Sequence, residues 1–324
     1  MNIDAIEAAA GRIAGHAVRT PLLNAPLLDR VAGRRVFIKA ECLQKTGSFK
    51  YRGARSAVSA LGDAERNKGV IAFSSGNHAQ GVALAASEMG APAAIIMPSD
   101  APELKIENTR AYGAEVILYD RATEDRDEIG AQLAAERGLT LIKPFDDPMV
   151  IAGQGTTGLE IAEQAAIVGI EDAEVLVCCG GGGLTSGISV SLADKAPGFR
   201  VRPVEPQGFD DVTRSLAAGA PQVNNQMTGS ICDAILTPSP GKLTFPILRE
   251  HCGPGIVVSD DDAMRAMALA FLRLKIVLEP GGAVALAAAL FHAEGDKDLI
   301  VVASGGNVDA AVFQTALDRY GDLT

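Results

Sequence analysis

Short runs of apolar, mostly β-branched residues alternate with Ala-, Leu-, Glu- and Arg-rich stretches along almost the whole chain. The apolar runs are expected to be strands at 36–41, 70–75, 93–97, 115–119, 140–143, 174–178, 200–204, 255–258 and 299–303. Most are continuous rather than alternating, the pattern of strands covered by helices on both faces. Helices are expected between them at 53–61, 80–89, 126–136, 158–168 and 261–274, and Pro102 and Gly113 punctuate a further segment, 103–112. This strand–helix rhythm predicts an α/β fold with parallel sheets and right-handed crossovers. Four strand–helix units within 70–145 are enough for one small sheet. No Pro- or Ser-rich linker divides the chain, so a second domain is expected to be inserted rather than appended.

Composition narrows the classes. A length of 324 residues suggests about two domains. Glycine supplies 35 of them, about 11% against an average near 7%, and no repeat or low-complexity run absorbs the excess, so it belongs to particular backbone positions. Lys plus Arg is 29 and Asp plus Glu is 40, a net charge of 29 − 40 = −11. That balance favours solubility and argues against nucleic acid as a partner, because such binding draws on clustered Lys and Arg. No leader-like apolar start and no apolar stretch of about 18 residues is visible, so no membrane association is expected. The five cysteines include no CxxC pair and read as reduced thiols of a cytoplasmic protein.

Ligands of open α/β sheets bind beyond the carboxyl ends of the strands, and three such ends are unusual here. The first runs Cys42–Ala54 and carries Thr46, Ser48 and Lys50 beside Gly47 and Gly53; taken alone, Lys50 reads as an ordinary solvated lysine before it reads as a special amine. The second, Ser74–Gly81, offers either an anion site at a helix N-terminus or a helix capped by Ser74, Ser75 or Asn77 with His78 incidental. The third, Gly180–Gly187, has four consecutive glycines whose bare N–H groups can wrap a phosphate, the alternative being a flexible loop. It fits neither GxGxxG, since Ser186 stands at the third glycine, nor the P-loop pattern, so no nucleotide is indicated. A phosphate cradle, a lysine at a strand end and no nucleotide fingerprint together suggest a phosphorylated aldehyde held as a Schiff base.

At this point the sequence resembles a known family. Ser48-Phe49-Lys50-Tyr51-Arg52-Gly53-Ala54 is similar to the lysine motif of fold type II pyridoxal-phosphate enzymes, in the threonine dehydratase and serine racemase branch that includes 3-hydroxyaspartate dehydratases. Residues 74–80, the tetraglycine loop, Ser304-Gly305-Gly306-Asn307, 150–156 and 279–283 resemble the other motifs in order, over essentially the whole chain. The resemblance implies two open parallel-sheet α/β domains with the cofactor between them: a large one of residues 1–68 and 147–324, and a small inserted one of 69–146. It implies that Lys50 carries the cofactor, Phe49 packs on its ring, Asn77 bonds the ring hydroxyl, and the N–H groups of Gly180, Gly181, Gly182, Gly183 and Leu184 hold the phosphate. Glu279 lies beside the cofactor and Ser304 bonds the pyridine nitrogen; a neutral hydroxyl there leaves the ring a weaker electron sink, which suits elimination.

By the same resemblance Ser74, Ser75, Asn77, His78 and Ser239 bind substrate, and Ser75 is the second acid/base of a racemase on the face opposite Lys50. Arg126 could bind a second carboxylate, as in 3-hydroxyaspartate, or be a surface arginine of an acidic helix. Glu205, Phe209 through its carbonyl, and Asp211 resemble a divalent-cation site whose oxygen ligands suit Mg²⁺ or Ca²⁺. The lysine motif continues Lys50-Tyr51-Arg52, not the Lys-Asp-Arg of cysteine synthases, which argues against β-replacement. The chain continues only briefly beyond Asn307, so no regulatory domain is expected. The expected protein is a cytoplasmic homodimer that dehydrates serine, threonine or 3-hydroxyaspartate to a 2-oxo acid and ammonia. The alternatives are a serine or hydroxyaspartate racemase using Lys50 and Ser75, and a non-catalytic phosphate-ligand binding protein.

Overall fold

A computed structural model describes residues 1–322 other than Ser75, Pro102, Arg121 and Met227, and the backbone alone of Leu104. The described strands are β1 (Leu22–Asn24), β2 (Val36–Lys39), β3 (Val70–Phe73), β4 (Ala93–Pro98), β5 (Glu115–Tyr119), β6 (Thr140–Leu141), β7 (Ala173–Cys178), β8 (Phe199–Pro206), β9 (Ile256–Val258) and β10 (Asp298–Val302). They form a six-stranded sheet in the order β1-β2-β10-β7-β8-β9 and a four-stranded one in the order β5-β4-β3-β6. Every described pairing between these strands is parallel except β1 with β2. The fold is thus α/β with parallel sheets, and the strands of the smaller sheet fall within 70–141. β1 escapes sequence reading because three residues are too few for any periodicity, and its place at the sheet edge leaves it half-exposed.

The central strands β7 and β10 are apolar but for Glu174 and Asp298, because helices cover both faces. Helix Pro280–Phe291, which reads only as an Ala-rich stretch, is buried from Pro280 to Leu290 and packs on β7, β8, β9 and β10. Helix Pro148–Ile167 begins ten residues before the expected 158, capped by Asp147, whose side chain accepts from the amides of Met149 and Val150. Gly153, Gly155 and Gly158 look like breaks in the sequence, yet they let this helix lie against its neighbours. A Cβ on Gly187 of helix Gly183–Lys195 would sit 2.5 Å from the Ile151 carbonyl and 2.6 Å from the Gly155 nitrogen. Close helix contact, not turn formation, explains these glycines.

A buried ion network fixes the helix Lys50–Ser59 in this frame. Arg52, almost fully buried, donates to both carboxylate oxygens of Glu41 at 2.8 Å and to both of Glu160 at 2.7 and 2.9 Å. Lys39 donates to the same Glu160 at 2.5 Å and to the Thr20 carbonyl. Two cations against two carboxylates leave the network neutral, which is the condition under which buried charge is tolerated. It joins the end of β2, the start of helix Lys50–Ser59 and the middle of helix Pro148–Ile167, and so sets where Lys50 stands.

Candidate active site

Topology collects the three unusual strand ends. β10 lies between β2 and β7, so two of them, Lys50 after β2 and Gly180–Gly183 after β7, emerge on either side of Ser304, which follows β10. From the smaller sheet, β3 delivers Ser74 and Gly76–His78. They border one cavity of about 310 Å³, whose lining also includes Phe49, Leu184 and Glu279. This is the crevice at which parallel sheets take ligands.

Lys50 opens its helix, and its ammonium donates to the Pro144 carbonyl at 2.9 Å while lying 5.2 Å from the Phe49 ring centre. No carboxylate pairs with it among the described residues, and burial pushes its pKa down to about 8. An amine so shifted is a usable nucleophile and base near neutrality. His78 is buried, and desolvation lowers its pKa to about 3. Its Nε2 lies 2.8 Å from the Ile142 carbonyl, and since a carbonyl only accepts, Nε2 carries the proton. His78 is therefore a neutral, fixed side chain rather than a titrating one.

Asn77 is held at both ends of its amide. Its Nδ2 donates to Glu279 Oε1 at 2.6 Å, and its Oδ1 accepts from Asn307 Nδ2 at 2.7 Å; Asn307 also donates to the Thr46 carbonyl. Burial raises Glu279 to about 7, with the Asn77 contact opposing the rise. Asn307 stood inside the fourth motif, but nothing in its sequence context shows that it clamps Asn77. The Ser304 carbonyl accepts from the Phe49 amide, and its hydroxyl oxygen accepts from the Cys178 thiol at 3.1 Å.

The glycine loop is not slack. Gly182 sits at φ 92°, a left-handed conformation that a side chain rarely adopts, and helix Gly183–Lys195 starts immediately after it. The Gly181 carbonyl accepts from Thr244 Oγ1 at 2.6 Å and from the Gly241 amide at 3.2 Å. A Cβ on Gly181 would collide with the Phe145 ring, and one on Gly183 would lie 2.8 Å from Gln154 Oε1. The loop is thus pinned, and its absent side chains leave the cradle open. A pinned glycine cradle at a helix N-terminus, facing an amine that burial favours neutral, fits a phosphorylated aldehyde.

Comparison with known proteins agrees. Residues 13–308 match the family described as pyridoxal-phosphate dependent enzyme. The chain belongs to that family. Among its relatives, the L-threo-3-hydroxyaspartate ammonia-lyase of Saccharomyces cerevisiae is 43% identical, covering 97% of this chain and 95% of its own. The serine racemase of Schizosaccharomyces pombe is 41% identical over 94% of each chain. Among solved structures, a threonine deaminase from T.th. superposes with a TM-score of 0.90 at 46% identity, covering 95% of this chain and 99% of its own.

The remaining residues expected in a site of this family are distributed unevenly. Arg126 lines the cavity from the start of helix Arg126–Arg137 with its side chain 55% exposed, and its nearest described acidic partner is Asp127 at 3.8 Å. Ser239 does not line the cavity, whereas Thr237, two residues earlier, does. Ser75 lies outside the described residues. Lining residues that the sequence did not single out include Lys105, Pro144, Phe145, Gln154 and Asp233. Of these only Gln154 belongs to one of the family-like motifs, 150–156; the others carry no local signal.

Glu205, Phe209 and Asp211 form a separate locus at the end of β8. Both Glu205 oxygens are engaged, by the Val212 amide at 2.8 Å and by the Thr213 amide and hydroxyl at 2.7 and 2.6 Å. Asp211 accepts from Asn224 at 2.6 Å, while its other oxygen is buried without a partner. Burial raises Glu205 to about 8, with the Asp211 charge adding to the rise, and raises Asp211 to about 6, with the neighbouring Asp210 adding to it. Among the described residues no cluster of three or more His, Cys, Asp or Glu side chains is arranged for a metal. Two buried carboxylates, one with an orphaned oxygen, beside a backbone turn nevertheless suit a hard cation.

Proposed function

We propose that the protein is a pyridoxal-phosphate-dependent ammonia-lyase that converts a β-hydroxy amino acid to a 2-oxo acid and ammonia. The observation that carries this is Lys50, an amine with a pKa near 8 facing a pinned glycine cradle across one cavity. The name of the yeast relative and the presence of Arg126 in the lining favour 3-hydroxyaspartate among the substrates, with L-serine and L-threonine as the monocarboxylate candidates.

Bound in the cavity, pyridoxal phosphate supplies an electrophilic aldehyde and an electron sink for negative charge at the substrate α-carbon. The amides of Gly180–Leu184 would hold its phosphate, Phe49 would pack on the ring, and Asn77, oriented by Asn307, would serve the ring hydroxyl. Ser304 would offer the ring nitrogen a neutral hydroxyl, which would not enforce protonation. The amides at the N-terminus of helix Asn77–Ser87 bind the α-carboxylate. Neutral His78 adds no charge beside it. Lys50, freed when the substrate amine takes its place, would then take the α-proton, as its depressed pKa allows near neutral pH; the β-hydroxyl would leave with a proton as water, and one water added back would release the 2-oxo acid and ammonia.

A divalent cation at Glu205, the Phe209 carbonyl and Asp211 belongs to the same reading; it would take up the orphaned Asp211 oxygen and stabilise the end of β8. So do a homodimeric state and a cytoplasmic setting, the latter supported by five free cysteines. No described helix is long and apolar enough to cross a membrane. Residues 69–146 would form the small domain and 1–68 with 147–324 the large one. The serine racemase relative keeps racemisation as the second reading, with Ser75 as the opposed acid/base. One panel tests both: L- and D-serine, L-threonine and the 3-hydroxyaspartate isomers, assayed for 2-oxo acid and for enantiomer exchange. Dominant oxo-acid release supports the lyase; dominant exchange would replace it by the racemase.

A further inference from the structure

The cavity holds more positive charge than a monocarboxylate amino acid uses. The α-carboxylate is served by the free amides of helix Asn77–Ser87, yet two further cations, Lys105 and Arg126, line the same cavity. Both come from the side of the smaller sheet, in helices Glu103–Ala111 and Arg126–Arg137. Lys105 is the more enclosed of the two, its side chain only 18% exposed against 55% for Arg126. A lysine that enclosed calls for an anion, and Asp233, across the cavity mouth beside the six-stranded sheet, supplies one.

The pairing is loose. Lys105 Nζ and Asp233 Oδ2 are 3.6 Å apart, beyond hydrogen-bond length, and the Asp233 side chain is 67% exposed. Ion pairs of that kind hold weakly and exchange partners readily. Both charges also act on Glu279, Lys105 drawing its pKa down and Asp233 pushing it up, so both reach the buried part of the cavity electrostatically. Serine and threonine bring no anion that could take over from Asp233. A second substrate carboxylate could.

We infer that Lys105 is the specificity-determining residue for a dicarboxylate substrate, and that Asp233 is its stand-in partner, displaced from Lys105 when the second carboxylate of a β-hydroxy dicarboxylic amino acid enters. This rests on the lyase reading above and narrows its substrate class. The exchange carries a signature that a purely structural contact across the cleft lacks. Loss of Lys105 and loss of Asp233 push discrimination in opposite directions: the first removes the receptor, the second removes the competitor.

The test compares kcat/KM for L-threo-3-hydroxyaspartate and for L-serine in the holoenzyme and in Lys105→Met and Asp233→Asn. The ratio of the two is expected to fall about tenfold or more in Lys105→Met, the scale of a lost hydrogen bond to a charged group. In Asp233→Asn it is expected to rise several-fold. A ratio that falls in both variants, or stays constant in both, overturns the assignment and leaves the pair as a structural contact. Calorimetric binding of two unreactive hydroxy acids, L-malate and L-lactate, to the holoenzyme separates this inference from the lyase reading. If wild type releases 2-oxo acid from neither substrate, the lyase reading fails, but a preference for malate over lactate that disappears in Lys105→Met still supports the receptor. Equal binding of malate and lactate, or an unaltered preference in Lys105→Met, overturns it.

Discussion

Replacing Lys50 by methionine should stabilise the protein when the cofactor is absent, although it destroys the activity. The pKa of Lys50 is about 8 in the folded chain against an ordinary 10.5, because its surroundings disfavour the ammonium and supply no carboxylate partner. The unfolded chain holds this proton more tightly, so folding is opposed in full below about pH 8 and by progressively less up to about pH 10.5, where the penalty vanishes. A shift from 10.5 to about 8 corresponds to about 3 kcal/mol at about 1.4 kcal/mol per pH unit. The open cavity mouth reduces this to about 2–3 kcal/mol. Methionine keeps the unbranched side chain, one atom shorter, and removes the charge. Urea unfolding of the cofactor-free forms should show Lys50→Met more stable than wild type by that amount near pH 7, with the gap closing above about pH 10. A gap that is the same at both pH values would mean that packing, not charge, separates the two proteins. The account of Lys50 as an amine poised for chemistry would then be wrong.

The ion network behind Lys50 gives the opposite sign. Arg52→Met leaves buried Glu41 without a cation and Glu160 with Lys39 alone, and should cost about 3–5 kcal/mol, lowering Tm by about 4–7 °C for a chain of this length in scanning calorimetry. Gly181→Ala puts a methyl group against Phe145 and should weaken pyridoxal-phosphate affinity by tenfold or more, read by titration of the visible absorbance. Removing divalent cations with a chelator should lower Tm, and Mg²⁺ at about a hundred times its Kd should restore about 2.7 kcal/mol; the response should be absent in Asp211→Asn. Ser75→Ala should suppress racemisation of serine more than elimination from the L-enantiomer, and equal loss of both would remove its assignment to the opposite face.

What the sequence revealed and what it hid follow from distance along the chain. The strands β3, β4, β5, β7 and β10 are legible within a residue or two because continuous apolar runs between helices have few other uses. The lysine motif and the tetraglycine loop are legible because each packs its chemistry into a few consecutive residues. The start of helix Pro148–Ile167 is not, since Gly153, Gly155 and Gly158 signal a break locally and a helix contact only in three dimensions. The same holds for Asn307, which is 230 residues from the Asn77 it orients, and for Lys105 and Asp233, brought together from two sheets. Each of these depends on a partner that no local window contains. Ser239 shows the converse, a position two residues from lining residue Thr237 that is not itself part of the lining.

The most direct test of the central claim is one measurement on two proteins: release of 2-oxo acid from L-threo-3-hydroxyaspartate by wild type and by Lys50→Ala, each supplied with pyridoxal phosphate and followed together with the visible absorbance. The account predicts a yellow wild-type protein that forms oxo acid and ammonia in equal amounts, and a variant that neither shows the band nor turns over. A colourless wild type, or a Lys50→Ala protein that keeps both colour and turnover, would contradict it.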